Sequence, residues 1–208
     1  MIRRLLRAMA LVVVLAIPAA AFAGVDKFEP ARGFNARELS QYQRVGVEPL
    51  VDAVEDKLKN ADKESERRKV IAAAGQAFAD ALVKRLTESG KFESVARAPG
   101  TDVTLLVGGR ITRYVPGNAV ARYSGVFGRS KFRARVELKD AASGKVLGGI
   151  NVDVASSMIP GAVNMIQSIG QFMEGTAIRT RDEILIARGD LKREETGRQG
   201  RAREKYSD

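Results

Sequence analysis

The side chains with the clearest chemical potential in this sequence are basic ones that alternate along one predicted strand. Lys131, Arg133 and Arg135 occur at every second position, and Arg110 lies in an earlier strand-like segment. Every second side chain of a strand points to the same face, so the first three share a surface. Clustered cations attract the phosphates or carboxylates of lipids, envelope polymers or nucleic acids. We therefore treat Arg110, Lys131, Arg133 and Arg135 as a candidate anion-binding face, called here the basic face.

The same pattern also has a simpler interpretation. Lys and Arg protect exposed or edge strands from mispairing, and charge runs more often solvate a surface than mark a site. Glu137 interrupts the row, and no aromatic side chain shares its face to stack on bases. The overall excess of 35 Lys and Arg over 25 Asp and Glu, a net charge of +10, fits either interpretation. We favour solvation and keep ligand binding as the alternative.

The composition excludes most catalytic and metal-binding chemistry. No Cys and no His occur among the 208 residues, which removes thiolate nucleophiles, iron–sulfur clusters, serine–histidine relays and histidine zinc sites. Serine–lysine catalysis stays formally open, although no Ser-x-x-Lys motif occurs. The acids that could serve a glycosidase are scattered through predicted strands and turns, without a signature. We predict that the chain has no catalytic, cofactor-binding or metal-binding residues and that the protein is not an enzyme.

The amino terminus has the three-part pattern of an export signal. Arg3, Arg4 and Arg7 precede an apolar run, and Ala21-Phe22-Ala23 supplies the small residues that signal peptidase requires. We predict a signal peptide over residues 1–23, cleaved between Ala23 and Gly24. A membrane anchor is the alternative, but residues 8–23 are fewer than the roughly 20 apolar residues that span a bilayer. The prediction places the mature chain, without a transmembrane segment, in the periplasm or outside the cell.

The mature chain is predicted to hold one layered domain between two less regular ends. Residues 24–43 mix Gly, Pro and charges and form a lead-in segment, residues 44–188 form the domain, and residues 189–208 form a charged, disordered tail. A first strand begins at Arg44 and ends at Pro49. Leu50, Val54 and Leu58 recur every four residues and predict a short helix over residues 50–62. A longer helix follows over residues 63–89, capped by Asp62 or Ser65 and ended by Gly90.

The strands of the second half show clearer patterns. A brief strand is predicted over residues 92–96 and an apolar central strand over residues 102–115. Phe132 to Lys139 alternates strictly between apolar and charged residues, and a turn at residues 140–145 leads into a returning strand that ends near Val154. A second helix is predicted from about residue 161 to residue 186, with Gly170 and Gly175 allowing close packing on the sheet. The core is expected to contain Phe78, Leu82, Leu105, Val107, Val136 and Ile150.

These elements define the predicted fold class, α/β (α+β). We expect a single layered domain with a mixed sheet of about four to five strands, a C-terminal hairpin and two main helices packed on the sheet.

Several of these motifs resemble a known family of bacterial secreted proteins, domain-of-unknown-function family 4410. The similarity lies in Leu82-x3-Leu86-x3-Gly90-x-Phe92, in the apolar strand to Gly108, in Asp140-x-x-Ser-Gly-Lys145 and in the glycine-rich last helix. The resemblance covers about residues 44–187. It implies an envelope protein whose fold is similar to domains of the curli secretion lipoprotein, the Tol–Pal N-terminal region and the activators of peptidoglycan synthases. Those domains serve protein–protein contact, and the family offers no catalytic residues to transfer. Its frequent lipid anchor does not carry over, because no cysteine is present.

Two functions of different classes follow. The first is an exported, non-enzymatic envelope domain that acts by protein–protein contact. The alternative is a binder of anionic envelope polymer or lipid through the basic face. A glycan hydrolase is a weaker third hypothesis, and nucleic acid is the least expected ligand because export separates the chain from it.

Overall fold

The protein is described by a computed structural model that covers residues 24–100, 102–115, 131–155 and 169–193. The predicted signal peptide (residues 1–23) and the tail from residue 194 onward lie outside the described residues. One mixed sheet and two long helices dominate the described part. The strands are β1 (Glu29–Pro30), β2 (Arg44–Val47), β3 (Val51–Asp52), β4 (Ser94–Arg97), β5 (Leu105–Val115), β6 (Lys131–Asp140) and β7 (Val146–Ala155). The helices are α1 (Ala61–Ser89) and α2 (Ile169–Arg188), with a 3-10 helix at Ala36–Gln41.

The sheet is mixed and follows the order β1-β7-β6-β5-β2-β4. Strands β5, β6 and β7 form an antiparallel meander, whereas β2 runs parallel to both β4 and β5. Strand β3 continues the line of β2 and pairs with a later part of β5. The predicted class and the two packed helices are confirmed, but the described sheet has seven strands and not four to five. The extra ones, β1 and β3, are two residues long and carry no pattern that the sequence alone reveals.

The apolar face of the sheet is set by strict alternation along its central strands. In β6 the even positions from Phe132 to Leu138 are buried and the odd ones are exposed or half-buried. Both helices cover this inner face, and the six predicted core residues are all at most 1% exposed. The rings of Phe78 on α1 and Phe132 on β6 lie 6.4 Å apart at their centroids, which joins the helix layer to the sheet.

Helix α1 begins two residues earlier than predicted, and its cap differs. The side chain of Asn60 accepts a hydrogen bond of 2.9 Å from the backbone N–H of Lys63, so neither predicted residue is the cap. Gly90 ends the helix in the left-handed conformation, as predicted. The short helix predicted over residues 50–62 is wrong, because the first residues of that segment pair with β5 as strand β3. Gly75 allows α1 to approach the carbonyl of Leu50 so closely that a Cβ would clash.

Helix α2 packs mainly against α1 and touches the sheet at β7. Phe172, Met173 and Ala177 form its buried contact surface. Gly170 and Gly175 are exposed, so their predicted role in close packing on the sheet is wrong. The amino-terminal part of the predicted helix, residues 161–168, lies outside the described residues.

The end of α2 is tied to the lead-in segment by one buried arginine. Arg188 donates to the carbonyls of Leu39 (3.0 Å), Tyr42 (2.6 Å) and Lys91 (3.2 Å). Its guanidinium carbon lies 4.2 Å from the centroid of the Phe92 ring, a cation–π geometry. These contacts hold part of residues 24–43 against the domain.

Within the described residues, neither helix combines the length and hydropathy that crossing a bilayer requires.

Candidate functional site

The structure brings the four residues of the basic face together on the sheet surface that faces away from the helices, called here the outer face. Arg110 on β5 lies directly opposite Arg135 on β6, and Arg133 and Lys131 follow along β6. All four side chains are exposed or half-buried. These four residues therefore share one surface, and anion binding by that surface stays a prediction. Arg122 and Arg129, which lie near them in sequence, fall outside the described residues.

A fifth cation joins this surface because β5 contains a β-bulge. The pairing register shifts between Ile111 and Arg113, so Thr112 has no partner in the ladder and Arg113 lies opposite Arg133. Simple alternation after Arg110 would have sent Arg113 to the core and Tyr114 outward. The bulge reverses both, and Tyr114 is 6% exposed. The spacing of three residues between Ile111 and Tyr114 was the sequence signal for this change of phase.

Two arginines of the basic face are paired with acids from neighbouring strands. The Nε group of Arg133 donates to the Asp153 carboxylate on β7 at 2.9 Å. Arg135 donates to Glu29 on β1 at 2.7 Å and to the side-chain oxygen of Asn151 at 2.8 Å. These cross-strand pairs favour the solvating interpretation for the middle of β6, since the positive charge there is already balanced.

Three other cations of the outer face have no such partner. Arg110, Arg113 and Lys131, called here the three-cation patch, form no ion pair or side-chain hydrogen bond with another described residue. Two exposed apolar side chains lie beside them. Val51 on β3 is opposite Arg110 and 62% exposed, and Val115 is opposite Lys131 and 40% exposed. This end of the outer face is therefore cationic and partly apolar.

A cavity of about 350 Å³ opens next to the three-cation patch. It lies where β5 extends beyond β3, because β3 pairs only with Arg110 and Ile111. The lining residues are Asp56, Arg67, Thr112, Arg113, Tyr114, Val115 and Arg133. Burial raises the pKa of Tyr114 above its usual value, so this residue presents a neutral phenol at physiological pH.

One wall of the cavity is held in place by an ion-pair cluster at the start of α1. Arg67 donates through Nη1 to Asp56 at 2.9 Å and through Nε to Glu64 at 3.1 Å. Glu64 also accepts from the backbone N–H of Leu58 (3.0 Å) and from Arg68 (2.7 Å). The Leu58 hydrogen bond, followed by those from the two arginines, lowers the pKa of Glu64 to about 2. Glu64 therefore stays ionised over the whole physiological range.

The acids that could have served a glycosidase are engaged elsewhere. Asp102 pairs with Arg44, Glu137 with Lys139 and Glu174 with Arg85. Asp140 accepts hydrogen bonds from the hydroxyl and then from the backbone N–H of Ser143 in the β6–β7 turn, and these bonds lower the pKa of Asp140. Asp153 is the partner of Arg133. The described residues contain no group of three acids placed to hold a metal ion.

The predicted cleavage site lies at the boundary of the described residues. Ala23 lies outside the described residues, whereas the carbonyl of Gly24 accepts a hydrogen bond of 3.0 Å from the N–H of Asp153. Val25 forms a bridge with Val152. The chain that follows the predicted cleavage site therefore already runs beside β7.

The comparisons with known proteins identify the family. A family model described as "Domain of unknown function (DUF4410)" matches residues 33–160, more than half of the chain. The chain therefore belongs to this family, as its motifs predicted. No curated protein matches it.

Two solved structures are similar to this chain at low sequence identity. A PelC dodecamer from Paraburkholderia phytofirmans is 13% identical, with a TM-score of 0.47, over 78% of this chain and 95% of that one. A DUF330 protein from Xanthomonas campestris is 14% identical, with a TM-score of 0.40, over 87% of this chain and 98% of that one.

Proposed function

We propose that this DUF4410 protein is an exported, non-enzymatic binding domain that contacts a partner protein of the bacterial envelope through its outer sheet face. The export signal pattern of residues 1–23 supports the location. The single observation that carries the contact surface is the layering of the fold, in which both helices cover the inner face and neither covers the outer one.

The end of the outer face beside β3 has the composition of a protein-binding surface. Val51 and Val115 supply exposed apolar area, and Arg110, Arg113 and Lys131 surround it with positive charge. Interfaces commonly combine an apolar centre with a polar rim, and arginine is enriched in them. The partner that this surface fits carries apolar side chains among acidic ones.

A binder of anionic envelope polymer or lipid is the second candidate. It is favoured by one observation, the lack of any described acidic partner for the three-cation patch. Polymer binding driven by counterion release weakens steeply as salt rises. A contact with a substantial apolar centre depends much less on salt, so the two candidates differ in a measurable property.

Site-specific photo-crosslinking in the native host tests the proposal. A photoreactive amino acid replaces Val51 on the outer face in one variant and Ala73, an exposed residue of α1, in the control. We expect a discrete protein adduct from position 51 that is absent from position 73. The yield of this adduct should be unchanged when cells or extracts are irradiated at high salt, and it should fall when Arg110→Glu is added.

Three results would oppose the proposal. Identical adducts from both positions would show random collision, and no adduct from position 51 would show that the outer face meets no protein. An adduct with glycan or lipid in place of protein, whose yield falls when irradiation is done at high salt, would favour the second candidate.

A further inference from the structure

The cavity beside the β5 bulge carries an inference beyond protein contact. Its volume of about 350 Å³ is at the lower end of the range for small-ligand sites. It is bounded by the bulge residues Thr112 and Arg113 on one side and by the Asp56–Arg67 pair on the other. A bulge commonly redirects a side chain toward a functional site. Here it brings Arg113 to the cavity wall.

The arginines in the wall differ in how many of their N–H groups are already used. Arg67 donates to Asp56 and Glu64 and is fixed as a rigid part of the wall. Arg133 uses Nε and Nη2 for Asp153, so its Nη1 group has no partner among the described residues. The side chain of Arg113 makes no hydrogen bond to another described residue. The available donors are therefore those of Arg113 and the Nη1 group of Arg133, which lie opposite each other across β5 and β6.

The rest of the wall suits the remainder of a small molecule. Tyr114 contributes an aromatic ring and Val115 an aliphatic side chain, while the Thr112 hydroxyl stands at the bulge. Asp56 is the acid in the lining, and its carboxylate is bound by Arg67. An incoming anion therefore meets two guanidinium groups with free donors, and the negative charge of Asp56 is already paired with Arg67. Guanidinium groups bind carboxylate and phosphate oxygens with paired hydrogen bonds.

We infer that this cavity binds an anionic group, a carboxylate or a phosphate, held by Arg113 and by the Nη1 group of Arg133 against Tyr114 and Val115. The group can belong to a free small molecule or to an acidic side chain of a protein. Binding of a free anion does not require the partner protein proposed for the outer face, so either proposal can fail alone.

An NMR titration of the full-length protein tests the site. The probes are inorganic phosphate and succinate, as free anions, and an acetylated tetraglutamate peptide, as a protein-borne carboxylate. We expect saturable shifts of the amide signals of Thr112, Arg113 and Val115 with at least one probe. Saturation by phosphate or succinate assigns a free anion, and saturation by the peptide alone assigns a protein side chain.

Two matched variants separate a site from general attraction to a basic surface. Arg113→Gln removes the guanidinium group whose donors are free and should lower the affinity for the anionic probe at least about tenfold. Arg179→Gln removes an equal charge from an exposed position on α2, outside the cavity lining and the outer face, and should change binding less than about twofold. Absence of saturable shifts with every probe would overturn the inference, as would equal weakening by the two variants. Urea midpoints equal to that of the parent protein establish that both variants are folded.

Discussion

Removing the guanidinium group of Arg188 should destabilise the fold more than any surface change. Its side chain is 2% exposed and donates to the carbonyls of Leu39, Tyr42 and Lys91 and to the Asp190 carboxylate at 2.7 Å. Arg188→Met keeps an unbranched apolar stem and deletes these four hydrogen bonds, together with the cation–π contact to Phe92. Each buried acceptor left without a donor costs about 1–3 kcal/mol, although such losses do not add fully.

We therefore expect Arg188→Met to lower the free energy of unfolding by about 3–5 kcal/mol, the usual cost of removing one partner from a buried charged pair. This is a large share of the roughly 5–15 kcal/mol that stabilises a domain. Urea unfolding at neutral pH, followed by circular dichroism, measures the difference. Arg188→Lys should fall between the parent and Arg188→Met, because a single ammonium group cannot reach every carbonyl that the planar fork reaches.

Arg179→Met is the matched control for Arg188→Met. Arg179 lies on the same helix, is exposed, and forms no side-chain hydrogen bond or ion pair with another described residue. Its replacement should change the unfolding free energy by less than about 0.5 kcal/mol. A loss below about 1 kcal/mol for Arg188→Met, or equal losses for the two variants, would refute the claim that Arg188 anchors the lead-in segment.

Two further predictions concern the backbone of β5 and the ion-pair cluster of α1. Gly109→Ala should lower the free energy of unfolding by on the order of 2–6 kcal/mol, because φ is +139° there and a Cβ would collide with the Arg135 carbonyl. The control Gly144→Ala, at φ +69° in open space, should cost only about 1–2 kcal/mol, and equal urea midpoints for the two variants would contradict this. The pKa of Glu64 is lowered from 4.5 to about 2, so its stabilising contribution is complete above pH 4.5 and is lost as the pH falls toward 2. The urea midpoint of the parent should therefore fall more steeply over that window than that of Glu64→Gln, whereas parallel curves would show that Glu64 does not contribute.

Much of the fold could be predicted from sequence because its central strands and long helix have unambiguous periodicity. Residues 132–139 alternate so strictly that their faces could be assigned, and α1 buries a stripe from Ile71 to Leu86. The segment from Leu50 to Leu58 shows why periodicity can mislead. Its spacing of four fits a helix, yet Leu58 is 44% exposed and the segment is held by pairing of β3 with β5 and by the bond from Arg68 to Asp52. Such long-range partners leave no local signal.

The candidate site was predictable only in part, for a related reason. The alternation of β6 placed Lys131, Arg133 and Arg135 on one face without any knowledge of the other strands. The role of Arg113 depends on a bulge, and the neutral state of the middle of β6 depends on Glu29 and Asp153, which come from distant parts of the chain. The cations of the outer face could therefore be predicted from the sequence, but the acids that form ion pairs with some of them could not.

The distribution of those acids explains why the free charge collects at one end of the outer face. On one side, β7 and β1 supply Asp153 and Glu29 to the arginines of β6. On the other side, β3 is two residues long and places Val51, not an acid, opposite Arg110. Beyond β3 the edge of β5 borders the cavity, whose one acid is bound by Arg67. A partner or ligand that brings its own negative charge therefore gains most where β3 ends, because elsewhere it would have to displace an existing carboxylate.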